Sequence, residues 1–140
     1  MMQETFERSA GILLYRELAM KKFFLLLHYP SGHWDFVKGR IEKNEDEKQA
    51  AIRETREETG ITDVEFIDGF EEKINYTYQF FGKIVQKEVV FFLGKTKTEE
   101  IKLSDEHIDH IWLEFDDAFS KTTYQNAKSL LQKSKPLIFR

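Results

Sequence analysis

The chain has 140 residues, enough for one domain with a real core. It holds no cysteine, which excludes disulfides, thiol catalysis and Cys-based zinc sites. A net charge of −4 gives no basic surface for nucleic acid, and thirteen Phe argue for a packed core rather than disorder.

The predicted elements follow in chain order. Residues 8–15 (RSAGILLY) read as a strand and residues 18–22 as a connection. Residues 23–29 (FFLLLHY) form a nearly continuous apolar run, which suits a strand buried on both faces. Pro30-Ser31-Gly32 is a turn, and residues 33–37 are a short extended piece leading to Lys38-Gly39. Residues 46–59 are expected to be helical. Residues 64–78 alternate apolar and polar, with a bulge expected at Gly69, and pair as a hairpin with residues 84–95. A late strand is expected over 108–113, a short helical turn over 116–120, and an amphipathic helix over 123–133, ahead of the tail KPLIFR. In that helix Tyr124, Ala127, Leu130 and Leu131 fall at helical spacing, and read as its packing face. The order gives an α/β or α+β fold in a single domain, 1–140. The longest apolar run, Phe23 to Leu27, is too short to span a bilayer, and MMQETFERSAG lacks the apolar run of a signal peptide. A cytoplasmic protein with no membrane partner is expected.

Residues 39–61, GRIEKNEDEKQAAIRETREETGI, carry the chemistry. The helix within them has no Gly or Pro and many good helix formers. Asn44 is expected to cap its start, and Gly60 sits where a left-handed C-terminal cap is wanted. At 100° per residue Glu54, Glu57 and Glu58 share one sector, while Ala51, Ile52, Thr55 and Thr59 form a neighbouring packing stripe. Arg53 and Glu57, four apart, can pair. Three clustered carboxylates repel unless a hard cation lies between them, and oxygen ligands suit Mg²⁺ or Mn²⁺. The reaction class is metal-assisted hydrolysis of a phosphoanhydride. A Glu-rich solvated helix face would account for the three acids alone, but not for the full spacing of Gly39, Glu45, Arg53-Glu54, Glu57-Glu58 and Gly60.

That spacing resembles the signature of the Nudix hydrolases at every fixed position; Thr55 alone departs, standing where an aliphatic residue is usual. The resemblance implies a Nudix-like α/β/α sandwich with a mixed sheet. It implies that Glu54, Glu57 and Glu58 hold metal or activate water, with a backbone carbonyl from the loop before Gly39 as a further ligand.

The segments SAGILLYR, LLLHYPSGHWDFVKGRIE, GFEEKINYTY, KEVVFFLG and LSDEHIDHIWL are also similar to the asymmetrical diadenosine tetraphosphate hydrolases within that family. Those members release a nucleoside triphosphate and a monophosphate. The subgroup often has Trp-Thr-Pro-Pro-Lys-Gly before the box, where this chain has Trp34-Asp35-Phe36-Val37-Lys38-Gly39 and so gains an acid at Asp35. The resemblance implies a small nucleotide as substrate. It assigns Glu106 as an extra metal ligand, His33, Lys38 and Lys87 as phosphate contacts, and Tyr76 and Phe139 as the two rings that sandwich adenine. Each has a plain alternative: a loop acid for Glu106, a turn residue for His33, solvated ends for the lysines and core packing for the rings. His107 and His110 read as structural. The box also serves ADP-ribose, oxidised nucleoside triphosphates and RNA 5′-triphosphate ends, and a non-catalytic nucleotide sensor is a further alternative. Oligomeric state is not encoded legibly.

Overall fold

The computed structural model describes residues 3–139. Its frame is a mixed sheet. The strands are β1 (Gln3–Leu18), β2 (Lys21–His28), β3 (Trp34–Asp35), β4 (Val37–Arg40), β5 (Glu65–Phe80), β6 (Lys83–Lys95) and β7 (Asp109–Leu113). The helices are α1 (Glu47–Thr59), α2 (Phe115–Lys121) and α3 (Gln125–Ile138). The strand path is β3-β2-β1-β6-β5, with β4 on β1 and β7 on β2. β1 and β6 run parallel, from Gln3 beside Lys83 to Tyr15 beside Lys95, and the other pairs are antiparallel.

Alternation along the central strands divides the core into two layers. Leu13, Tyr15, Phe24, Leu26, Phe91 and Leu93 face α2 and α3, where Ala118, Ala127, Leu130 and Leu131 meet them. Ile12, Leu14, Leu25, Leu27, Val90 and Phe92 face Ala50 and Ala51 of α1. Burial on both faces explains the unbroken apolar reading of β2. The result is the expected α/β/α sandwich. Among the described residues, no helix is long and apolar enough to cross a membrane.

Gly60 caps α1 at φ 80°, as its position suggests, and the register shift between Phe66 and Glu71 falls around Gly69. Three local expectations are corrected. The N-cap of α1 is Asp46, not Asn44: Asp46 accepts from Gln49 N–H while the Gln49 side chain returns a bond to Asp46 N–H. Ile52 is exposed, and the buried face of α1 is Ala50, Ala51, Thr55, Glu58 and Thr59. The terminal helix does not stop at Lys133 but continues through Pro136, because Leu137 and Ile138 still pack on the core. Thr55 is fully buried, and its hydroxyl is satisfied by donating to Ala51 O at 2.7 Å.

Candidate active site

The site is built from the outer side of α1 inward. Arg53 grips Glu45 with two bonds, Nε to Oε2 at 2.6 Å and Nη2 to Oε1 at 3.0 Å. The same guanidinium donates to Glu54 Oε1 at 2.9 Å, Glu57 Oε2 at 3.1 Å and Arg40 O at 2.8 Å. The expected Arg53–Glu57 pair is present, but Glu45 is the principal partner. Its bonds to Glu45 and Glu54 hold Arg53 charged at any pH the fold survives.

Glu54 lies flat over Gly39. A Cβ on Gly39 would sit 1.9 Å from Glu54 Cδ, so only glycine allows the carboxylate against the β4 backbone. Glu58 is 4% exposed, accepts a bond from Ser104 Oγ and lies 2.7 Å from His107 Nε2. Burial is the first cause of its pKa rising to about 7, with the Glu106 and Glu54 charges adding to the rise. Burial also lifts Glu54 and lowers His107. Glu57 is half exposed at its side chain while its Oε2 accepts from Arg53. Glu106 is exposed on the turn after Ser104, whose Oγ accepts its N–H at 3.3 Å.

Among the described residues, no three His, Asp or Glu side chains converge as a finished metal cage. The reason is visible in the bonds: Arg53 holds the tips of Glu54 and Glu57, and Ser104 and His107 hold Glu58. The chemistry of the donor set nonetheless fits a hard cation. The donors are all oxygens, and burial, with neighbouring carboxylates adding to it, raises the pKa of both Glu54 and Glu58, a cost that a bound cation would offset.

On the other side of β4 lies a cavity of about 930 Å³. Lys38 projects into it from the residue before Gly39, and His33, Asp35, Tyr76, Tyr78 and Tyr124 share its wall with Ile74, Val89, Phe91 and Leu130. A row of rings joins the two regions. His107 meets the edge of Tyr29 at 4.6 Å, Tyr29 stacks on His33 at 4.5 Å, and His33 tilts against Tyr124 at 5.3 Å. Lys38 Nζ stands 5.9 Å from the centres of both Tyr29 and Tyr76. Lys87 is the register partner of Tyr76 and lines an adjoining depression; burial, then the nearby Lys38, lowers its pKa.

The structure thus brings His33, Lys38 and Tyr76 together, with Lys87 beside them. It does not bring Phe139. That ring packs edge-on against Phe115 at 5.8 Å, under Lys22, at the opposite end of β2. The expected Tyr76–Phe139 sandwich is therefore corrected: the ring near Tyr76 is Tyr78, at 6.3 Å. Tyr29 and Tyr124 are site residues that sequence reasoning missed. Tyr124 was expected on the packing face of the last helix, yet it is the N-cap residue and 54% exposed. His107, which reads as structural, lies against Glu58.

A family model for the NUDIX domain matches residues 5–133. The chain belongs to the NUDIX hydrolase family. Enzymes of this family generally require a divalent metal. The chain is 40% identical over 129 residues to the asymmetrical bis(5′-nucleosyl)-tetraphosphatase of Caenorhabditis elegans, covering 90% of this chain and 92% of that one. The protein of the same description in Mus musculus is 33% identical over 138 residues, covering 90% and 91%. The crystal structure of a C. elegans Ap4A hydrolase binary complex superposes with a TM-score of 0.81 at 38% identity, over 93% of this chain and 96% of that one.

Proposed function

We propose that this NUDIX hydrolase cuts diadenosine tetraphosphate asymmetrically, giving ATP and AMP, with Mg²⁺ as its metal. The observation that carries the reading is the continuity of the acidic cluster with the aromatic cavity through Lys38-Gly39 and the His107–Tyr29–His33 row. One end suits a metal-bound polyphosphate and the other a purine. The named relatives support the same substrate.

Glu54, Glu57, Glu58 and Glu106 would hold the metal, with the Gly39 backbone carbonyl beside them. Bound there, Mg²⁺ supplies an activated water and neutralises charge that develops on the phosphate. The remaining work falls to this chain's own groups. Arg53 fixes the orientation of Glu54 and Glu57. Lys38, Lys87 and His33 donate to phosphate oxygens. Tyr76 and Tyr124 offer rings for adenine, and such stacking contributes on the order of 1–3 kcal/mol per base. The apolar walls behind them keep bulk water from the bound base.

The test is product analysis over a nucleotide panel with Mg²⁺. ATP plus AMP from diadenosine tetraphosphate is expected, and loss of turnover in Glu57→Gln and Glu58→Gln. AMP plus ribose 5-phosphate from ADP-ribose, at a higher kcat/KM, would replace this reading with another NUDIX substrate. Nucleotide binding with no turnover at all would make the protein a sensor.

A further inference from the structure

Asp35 is a carboxylate in a cavity whose walls are otherwise mostly aromatic and aliphatic. It is 8% exposed. Its Oδ1 accepts from Phe36 N–H at 2.7 Å. Its Oδ2 has only Lys38 Nζ, at 3.5 Å, well beyond the roughly 2.8 Å of a tight ammonium–carboxylate bond. The same ammonium also stands 5.9 Å from the ring centres of Tyr29 and Tyr76. An ionised carboxylate offers about four acceptor sites, and most of those on Asp35 are unused.

A buried acceptor left open beside stacking rings calls for a donor on the ligand. We propose that Asp35 selects the nucleobase: its Oδ2 accepts a hydrogen bond from the exocyclic amino group of a base held against Tyr76, Tyr78 or Tyr124. This rests on the proposed nucleotide substrate and adds which base edge the cavity reads. Adenine carries such a donor at N6. A base of the same shape without the amine leaves Oδ2 with the long Lys38 contact alone, and a buried acceptor that loses its ligand donor is a source of discrimination.

Equilibrium binding separates this inference from the hydrolytic reading, because it requires no turnover. ATP and purine riboside 5′-triphosphate, which lacks only the amine, are titrated into the full chain by calorimetry. Wild type is expected to bind ATP at least about tenfold more tightly, the size expected for a hydrogen bond to a charged group. In Asp35→Thr the two ligands are expected to bind alike. In Asp35→Asn the amide oxygen can keep the Phe36 N–H and turn its NH₂ to the cavity, so inosine triphosphate, with oxygen at that edge, is expected to overtake ATP. A reversal of preference cannot come from misfolding. Equal binding of the two ligands by wild type overturns the inference, as does an equal loss for both in Asp35→Thr, which would make Asp35 only an anchor for Lys38. Failure of diadenosine tetraphosphate hydrolysis alone overturns the substrate and leaves the base preference measurable.

Discussion

Replacing Gly39 with Ala adds one methyl group where Glu54 lies. The new Cβ would meet Glu54 Cδ at 1.9 Å, Oε2 at 2.2 Å and Cγ at 2.4 Å. The backbone of β4 is ordinary strand there, with no positive φ, so Ala suits the main chain. The side chain has to yield, by more than about 1 Å, and a misplacement of that size in a positioned group costs on the order of a hundredfold in rate. The fold loses much less. The Arg53–Glu54 bond goes, worth about 1–2 kcal/mol, or a few degrees in Tm. The assay is kcat at saturating Mg²⁺ beside thermal unfolding by circular dichroism. Wild-type kcat in Gly39→Ala would refute the claim that glycine is there to admit Glu54. Wholesale unfolding would refute the claim that only the site depends on it.

Arg53→Ala strands Glu45 and Glu54, both mostly buried, and is expected to cost about 3 kcal/mol, or roughly 10 °C in Tm, whereas Arg53→Lys keeps the charge but not the fork and is expected to lose about half of that by the same melts. The raised Glu58 pKa makes the metal-free folded state bind more protons than the unfolded chain between about pH 4.5 and about 7, so this group's contribution to stability falls as pH rises through that window and is flat above it. Chemical denaturation at a series of pH values checks this, and Glu58→Gln is expected to reduce the slope. Metal binding is expected to release a proton near pH 6, read from calorimetry in buffers of different ionisation heat. Tyr124→Ala is expected to raise KM about tenfold through lost stacking, while Phe139→Ala leaves KM within about twofold and lowers only Tm, which separates the cavity ring from the Phe115 contact.

The helix and its acids were legible because their signals are local. Gly60, the spacing of Glu54, Glu57 and Glu58, and the four-residue step from Arg53 lie within a short stretch of chain. The capping box was written there too, as Asp46 and Gln49, but an Asn two residues earlier competed for the same role; at φ 70° Asn44 belongs to the turn before the helix. The cavity was less legible because residues 31–38, 74–78 and 124–130 build it jointly, and no periodicity marks where such segments meet. Tyr124 misled for a specific reason: helical spacing counts it with Ala127 and Leu130, but an N-cap residue has extended backbone and its side chain leaves the helical face. Phe139 follows the helix that Pro136 fails to end, and that extra turn carries it to Phe115.

The parallel seam between β1 and β6 has a consequence for how the protein is made. Arg8 lies beside Glu88, a separation of 80 residues, so the first strand emerges from the ribosome long before its neighbour exists. At roughly 5–20 residues per second, one long flank of that strand stays unpaired for several seconds. Newly made chains are therefore most open to sticking together before β6 is synthesised, and cooling or slowing translation lengthens that interval.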